Sequence, residues 1–143
     1  MPKRKEEILN PLDLETDIAV GVALPLAKPT GGGFALNYTT MDQAKTNLRS
    51  LLKTNQGERY MQPTFGADIH SVLFEQNTDE LVDKLRNKVE EAIEYWLPYV
   101  SIRHFDISRY EHTIQMDMSF IINENEWDEG QITLKYAIPE SSV

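Results

Sequence analysis

Two carboxylates in the middle of the chain have the chemistry that glycoside hydrolysis requires. Glu58 lies in a turn-rich segment beside apolar and aromatic residues, and Asp68 follows shortly after it. A glycosidase uses one carboxylic acid with a raised pKa and a second carboxylate across the cleft, so Glu58 would be the acid and Asp68 its partner. The adjacent Arg59 could pair with Glu58 and keep it charged. Because no second motif indicates a sugar-binding cleft, we do not expect an enzyme.

The composition argues against several other kinds of chemistry. The chain has no cysteine, which excludes disulfides, thiolate nucleophiles and cysteine zinc sites. His70, His104 and His112 are isolated from one another in sequence, so we expect neither a metal site nor a cofactor. The net charge of −9 would repel nucleic acid, and no apolar run approaches the length of a membrane helix. The basic first residues lack the apolar run of a signal peptide, so a cytosolic product is expected.

The segment at residues 54–66 carries the strongest constraints on backbone shape. Gly57 can take a positive φ and end the preceding helix, Pro63 fixes its own φ, and a second glycine permits a tight turn at the end of the segment. One interpretation is a structural plug, with Phe65 buried in the core and Arg59 capping helix carbonyls. The other is a docking or catalytic loop. From the residues alone the plug is preferred.

Apolar residues at helical spacing predict three helices, at residues 41–53, 68–74 and 78–97. Thr40 or Asp42 would cap the first helix, Asp68 the second and Asn77 the third. Pro98 would end the third helix. The first two predicted helices flank the constrained segment and must therefore position it.

Alternating apolar residues predict four strands, at residues 18–24, 100–110, 113–122 and 131–138. A change of phase near Arg103 and His104 predicts a β-bulge in the second of them. Because most helices precede most strands, the expected fold is α+β. We expect a single domain at residues 17–143, with an antiparallel C-terminal sheet and a short N-terminal strand packed against two to three helices. Residues 1–16 would form a flexible arm.

Several short motifs together resemble one protein family. They are Asn47-Leu48-Arg49-Ser50-Leu51-Leu52-Lys53-Thr54, Gly57-Glu58-Arg59, Pro63, Phe65-Gly66 and Leu73-Phe74-Glu75. The chain resembles the baseplate wedge protein and sheath initiator of contractile-tailed phages, to which the initiator subunit of the type VI secretion apparatus is related. The family was formerly called lysozyme-like, a label that establishes no chemistry. The resemblance covers about residues 17–139.

The end of the third predicted helix departs from the family pattern. Many relatives carry Glu-Pro-Arg there, whereas this chain has Leu97-Pro98-Tyr99, so only Pro98 matches. The charged contact associated with that motif cannot be transferred. Trp96 and Tyr99 could provide an aromatic anchor for a partner instead. The alternative, which is slightly preferred, is that Trp96 closes the core.

The resemblance implies a contact with baseplate wedge or core subunits through the constrained segment and the end of the third helix. We expect Glu58 and Arg59 to form a structural salt bridge or a wedge contact. Tube or hub proteins are further candidate partners. The residues assigned to this contact are Thr54, Gly57, Glu58, Arg59, Pro63, Phe65, Gly66, Trp96, Pro98 and Tyr99.

The resemblance also implies that a sheet edge serves as a template for the first ring of tail sheath protein, by β-augmentation. The chain would then reside in the tail baseplate of the virion after assembly in the host cytoplasm. Thr133 and Lys135 would face solvent. The alternative for the strand is a position inside the sheet, and the alternative for the protein is a free cytosolic adaptor that binds a peptide strand. The candidate strand comprises Gln131, Ile132, Thr133, Leu134, Lys135, Tyr136, Ala137 and Ile138.

Overall fold

The computed structural model describes residues 17–26, 31–73, 79–123, 126 and 128–137 of the 143-residue chain. Within them, three helices and two antiparallel sheets give an α+β architecture, which confirms the predicted fold class. The chain divides into two compact units, and the first ends at Asn47, inside the first helix. The arm at residues 1–16, Asn77 and Ile138 lie outside the described residues. No helix in the described part is long and apolar enough to cross a membrane.

The sheet of the first unit is a short two-stranded ribbon. β1 (Gly21–Val22) pairs antiparallel with β2 (Leu36–Asn37). β1 occupies only the centre of the strand predicted at residues 18–24, and the sequence pattern does not predict β2. Since Val22 and Leu36 are 41% and 43% exposed, little burial favours a longer ribbon.

The first helix, α1 (Thr40–Lys53), begins one residue earlier than predicted. Its cap is Thr39, whose hydroxyl oxygen accepts a hydrogen bond from the Asp42 amide at 3.1 Å, rather than Thr40 or Asp42. Asn37 fixes β2 against the start of this helix, because its buried amide donates to Gln43 at 3.0 Å and to Thr46 at 2.9 Å.

Two helices and a three-stranded sheet make up the second unit, together with the last turns of α1. The helices are α2 (Ile69–Leu73) and α3 (Asp79–Trp96), and the strands are β3 (Val100–Tyr110), β4 (Thr113–Ile122) and β5 (Glu129–Ala137). The sheet is an antiparallel meander in the order β3-β4-β5. A register shift between Ile102 and His104 confirms the predicted bulge.

The core of this unit lies on the sheet face that α3 covers, and α3 packs against β3. Alternating residues of β4 and β5 point into it, as the sequence pattern predicts, although Ser119 and Ile121 on the other face are also buried. Tyr136 joins the sheet to α1 by donating a hydrogen bond to the Leu52 carbonyl at 2.8 Å, and burial raises the pKa of its phenol. The largest fully buried side chains of this core are Phe120, Leu48, Leu51, Leu52, Ile69, Leu85, Ile114 and Met116.

Candidate protein-binding surfaces

β5 has an open outer edge, because among the described residues it pairs with β4 alone. The direction of its main-chain groups follows from one hydrogen bond on the opposite side of β4. The Asn123 amide donates to the Tyr99 carbonyl at 2.9 Å, beside the pair Val100 and Ile122. Main-chain amide and carbonyl groups alternate in direction along a strand. The odd-numbered residues of β4 therefore direct these groups towards β3, and the even-numbered residues direct them towards β5.

The register of the sheet extends this alternation to β5. Met118 lies opposite Ile132, and Met116 lies opposite Leu134. These even-numbered residues of β5 therefore form the ladder with β4, while Gln131, Thr133 and Lys135 direct their amide and carbonyl groups towards the open edge.

The side chains of β5 also alternate between even-numbered and odd-numbered residues, in their exposure to solvent. Ile132, Leu134 and Tyr136 are buried, whereas Gln131, Thr133, Lys135 and Ala137 are exposed. The Thr133 hydroxyl donates to Asp117 on the neighbouring strand at 2.5 Å, and the Gln115 amide donates to the other carboxylate oxygen at 2.8 Å. These two hydrogen bonds, with a smaller contribution from Lys135, lower the pKa of the Asp117 carboxyl. The outward face of the edge is thus held in register by polar contacts.

The second candidate surface is the loop at residues 54–66, which is closed by its own main chain. The Gly57 amide donates to the Pro63 carbonyl at 2.6 Å, and this bond forms the neck of the loop. At the tip, the Gln62 amide donates to the Arg59 carbonyl at 3.2 Å. Gly57 adopts a φ of +92°, as the sequence predicts, but α1 ends at Lys53, so Gly57 closes the loop and does not end that helix. The loop begins where the Thr54 amide bonds to the last turn of α1 at Ser50.

Glu58 and Arg59 do not pair with each other, contrary to the salt bridge expected from sequence. The Glu58 carboxylate accepts hydrogen bonds from the Asn55 amide at 3.1 Å and from the Asn55 side chain at 2.7 Å. The Arg59 guanidinium donates to the Ser50 hydroxyl at 3.0 Å rather than capping helix carbonyls, and it lies 3.7 Å from the centre of the Phe65 ring. Each side chain therefore stabilises the loop through a separate partner.

Aromatic rings connect this loop to the end of α3. Phe65 packs edge-on against Trp96 with ring centres 5.1 Å apart, and Tyr95 also packs edge-on against Trp96, with ring centres 5.0 Å apart. Phe65 is partly exposed, so it is not the buried core residue that the plug interpretation predicts. Trp96 is also partly exposed, so it does not close the core as a fully buried side chain. Pro98 is exposed and Tyr99 half-buried directly after the helix.

Gly66 ends the loop in a conformation and a space that only glycine fits. Its φ is +126°, and a Cβ added there would lie 2.4 Å from the Thr54 carbonyl oxygen. The following residue, Ala67, donates its amide to the Leu51 carbonyl at 3.2 Å. The last turn of α1 and the end of the loop are therefore in close main-chain contact.

Three exposed side chains at the loop and the end of α3, those of Tyr60, Met61 and Tyr95, do not appear among the contacts predicted from the sequence. Tyr60 is 99% exposed and Met61 89%, so they form the tip of the loop rather than an apolar surround for Glu58. Tyr95, on α3, is 75% exposed. The sequence contained one signal for the first two, because they lie midway between Gly57 and Pro63, where a closed loop has its turn.

The geometry of the two carboxylates does not match a glycosidase. Glu58 is exposed and bound to Asn55, instead of lying in the apolar pocket that keeps a catalytic acid protonated. Asp68, with a φ of +50°, binds the Lys88 ammonium at 3.3 Å. Each carboxylate thus has a structural partner within the unit.

Comparison with known proteins connects these features to one family. The model of the baseplate wedge protein gp25 family matches residues 40–126. The chain is 26% identical over 95 residues to baseplate wedge protein gp25 of Enterobacteria phage T4, a match that covers 65% of this chain and 72% of that protein.

Two solved structures share the fold at 22% identity. A Geobacter sulfurreducens protein described as a candidate tail lysozyme has a TM-score of 0.65, with 73% of this chain and 96% of that chain covered. A chain of the anti-feeding prophage baseplate has a TM-score of 0.56, with coverages of 85% and 86%. The family match extends over the loop, α3 and most of the sheet, and the chain belongs to the baseplate wedge protein gp25 family, as a structural component of a phage tail baseplate.

Proposed function

We propose that this baseplate protein is a template for sheath assembly, and that the open edge of β5 is the surface it offers to the first ring of sheath protein. The observation that carries the proposal is the outward direction of the amide and carbonyl groups of Gln131, Thr133 and Lys135. An extended segment of a partner can add to such an edge as a further strand, with main-chain hydrogen bonds providing affinity.

The side chains of β5 give this edge both rigidity and selectivity. Its buried residues attach the strand to the core, so the edge is presented in a fixed shape. Lys135 is exposed on the outward face, where a charge discourages pairing with an arbitrary strand. A sheath strand with a complementary acidic residue would tolerate Lys135, which makes the edge selective.

The loop at residues 54–66 and the end of α3 form the proposed contact with wedge or core subunits. Its main-chain closure holds Tyr60 and Met61 outward at the tip, and residues of these types are enriched in protein interfaces. Because the loop is already ordered by its own hydrogen bonds, little conformational entropy is lost on docking. On this proposal the chain assembles in the host cytoplasm and acts as a scaffold rather than as an enzyme.

Amide hydrogen exchange tests the edge directly, with neighbouring residues as internal controls. In the free chain, we expect the amides of Gln131, Thr133 and Lys135 to exchange fast and those of Ile132 and Leu134 to exchange slowly. Addition of the sheath protein should slow the three odd-numbered amides by about tenfold or more, the effect of one net main-chain hydrogen bond. The amides of the even-numbered residues should change little.

Uniform protection of both sets would indicate burial without strand addition, and no protection would show that β5 is not the template. A chain with the Lys135→Glu substitution is the matched variant. It keeps every main-chain donor but reverses the charge, so we expect weaker protection at the same alternating positions.

The tip of the loop is tested by the double substitution Tyr60→Ser and Met61→Ser. The variant should unfold at the same temperature as the wild type, because both side chains are almost fully exposed. In competition with differently tagged wild-type chain, its share of purified baseplates should fall about tenfold or more, as for one interface hot spot. Tyr110→Ser, on an exposed residue at the end of β3, is the matched control. Equal incorporation of all three chains would contradict a docking role for the tip.

A further inference from the structure

A cleft of about 340 Å³ lies between the loop at residues 54–66 and one face of α3. Gln56, Thr64 and Gly66 line it on the loop side, while Glu91, Tyr95 and Trp96 line it from the helix. Glu91 and Tyr95 are four positions apart, so their side chains lie on the same face of α3, and Trp96 follows Tyr95 directly at the end of the helix. The cleft thus combines a carboxylate with two aromatic rings.

The lysine that lines this cleft does not compensate the negative charge of Glu91. Lys88 also lines the cleft, one turn before Glu91, but its ammonium binds Asp68 at 3.3 Å and the Ser71 hydroxyl at 3.1 Å. Lys88 and Asp68 neutralise each other. Among the described residues, Glu91 forms no ion pair, and it is exposed to solvent. The cleft therefore has a net negative charge that a cationic partner group can neutralise.

Tyr95 provides a flat surface beside that charge. It follows Glu91 by four residues, which places the two side chains about 5–6 Å apart at their Cβ atoms. Its ring meets Trp96 edge-on, at an interplanar angle of 79°, and 75% of the residue remains exposed. The same unit already contains a cation–π contact of this kind, in which the Arg59 guanidinium lies 3.7 Å from the centre of the Phe65 ring.

We propose that this cleft binds an arginine side chain of the wedge or core subunit. The guanidinium would stack on Tyr95 and donate two hydrogen bonds to the Glu91 carboxylate. Arginine fits better than lysine, because its planar group can both stack and form a bidentate pair with a carboxylate. An apolar partner side chain would leave the Glu91 charge buried without a partner, at a substantial free-energy cost. The inference rests on the proposed wedge contact and specifies the chemistry of its partner.

The test is a titration of the isotopically labelled full-length chain with two blocked peptides, Ser-Gly-Arg-Gly-Ser and Ser-Gly-Lys-Gly-Ser, followed by NMR. The arginine peptide should shift the Trp96 indole and Tyr95 ring signals, and the lysine peptide should bind more weakly. Glu91→Gln and Tyr95→Ala should each weaken binding of the arginine peptide by about three- to fivefold, as expected for an exposed ion pair or cation–π contact. Glu90→Gln is the matched control. It makes the same charge change on the same helix, but Glu90 lines a different cleft with Ile93 and Pro98.

Equal binding of the two peptides, or equal weakening by Glu91→Gln and Glu90→Gln, would show a general attraction to an acidic surface and overturn the arginine site. The same holds if Trp96 and Tyr95 signals do not move. Neither result affects the exchange pattern of β5 or the incorporation defect of the Tyr60 and Met61 variant, so failure of the arginine site is distinguishable from failure of the proposed function. In assembled baseplates, Glu91→Gln should lower incorporation in competition with wild type, while Glu90→Gln should not.

Discussion

Tails assembled with a Thr133→Pro chain are expected to carry complete baseplates and naked tubes, with no attached sheath. Proline has no amide hydrogen, and the Thr133 amide faces the open edge of β5 rather than the ladder with β4. The substitution therefore removes one donor from the proposed template and leaves the hydrogen bonds to β4 in place. Its ring also projects towards the position of an incoming strand. Electron microscopy of tails, scored for sheathed and naked tubes, measures the effect.

The control for this experiment is Thr133→Val. Proline also removes the Thr133 hydroxyl, which donates to Asp117, and valine removes that hydroxyl while keeping the amide. Tails with the valine variant should be sheathed. Thermal unfolding of both purified variants is needed beside the microscopy, because a misfolded chain would yield no baseplates at all. Normal sheaths on the proline variant, with baseplates present, would show that this edge is not the template.

The alternating strands were predictable because a sheet with one buried face imposes a period of two on its residues. The limits of β4 match the prediction, and β5 differs from it by two residues at its start. Whether β5 lies at an edge was not predictable. Strand order depends on which partner occupies each side, and a buried alternating face looks the same in a central strand and in an edge strand.

The loop shows the same limit at the level of side chains. Gly57, Pro63 and Gly66 indicated a constrained backbone, because few residues fit those conformations. The partners of Glu58 and Arg59 did not follow from their adjacency. Consecutive residues in an irregular loop point in different directions, and Ser50 and Phe65 reach Arg59 only after the chain has folded back on α1. The cleft beside α3 likewise depends on the folded position of the loop.

Gly66→Ala is expected to cause a larger loss of stability than substitution of any exposed side chain in the loop. The new Cβ would lie 2.4 Å from the Thr54 carbonyl oxygen, and main-chain atoms on both sides of the contact are fixed by hydrogen bonds. A φ of +126° is also strained for any residue with a Cβ. We expect the free energy of unfolding to fall by about 3 kcal/mol or more, measured by urea denaturation with the slope of the transition checked for two-state behaviour.

Gly57→Ala separates backbone strain from the clash. Gly57 also has a positive φ, but nothing lies within 4 Å of its added Cβ. Alanine there should lower the free energy of unfolding by only about 1–2 kcal/mol, the strain of a left-handed conformation. Because Gly66 lies against Thr54 and directly follows Phe65, whereas Gly57 lies at the loop neck, Gly66→Ala should also displace the NMR signals of Phe65 and Trp96. Equal losses for the two variants would contradict the close approach to Thr54, and with it the rigid loop on which the proposed wedge contact depends.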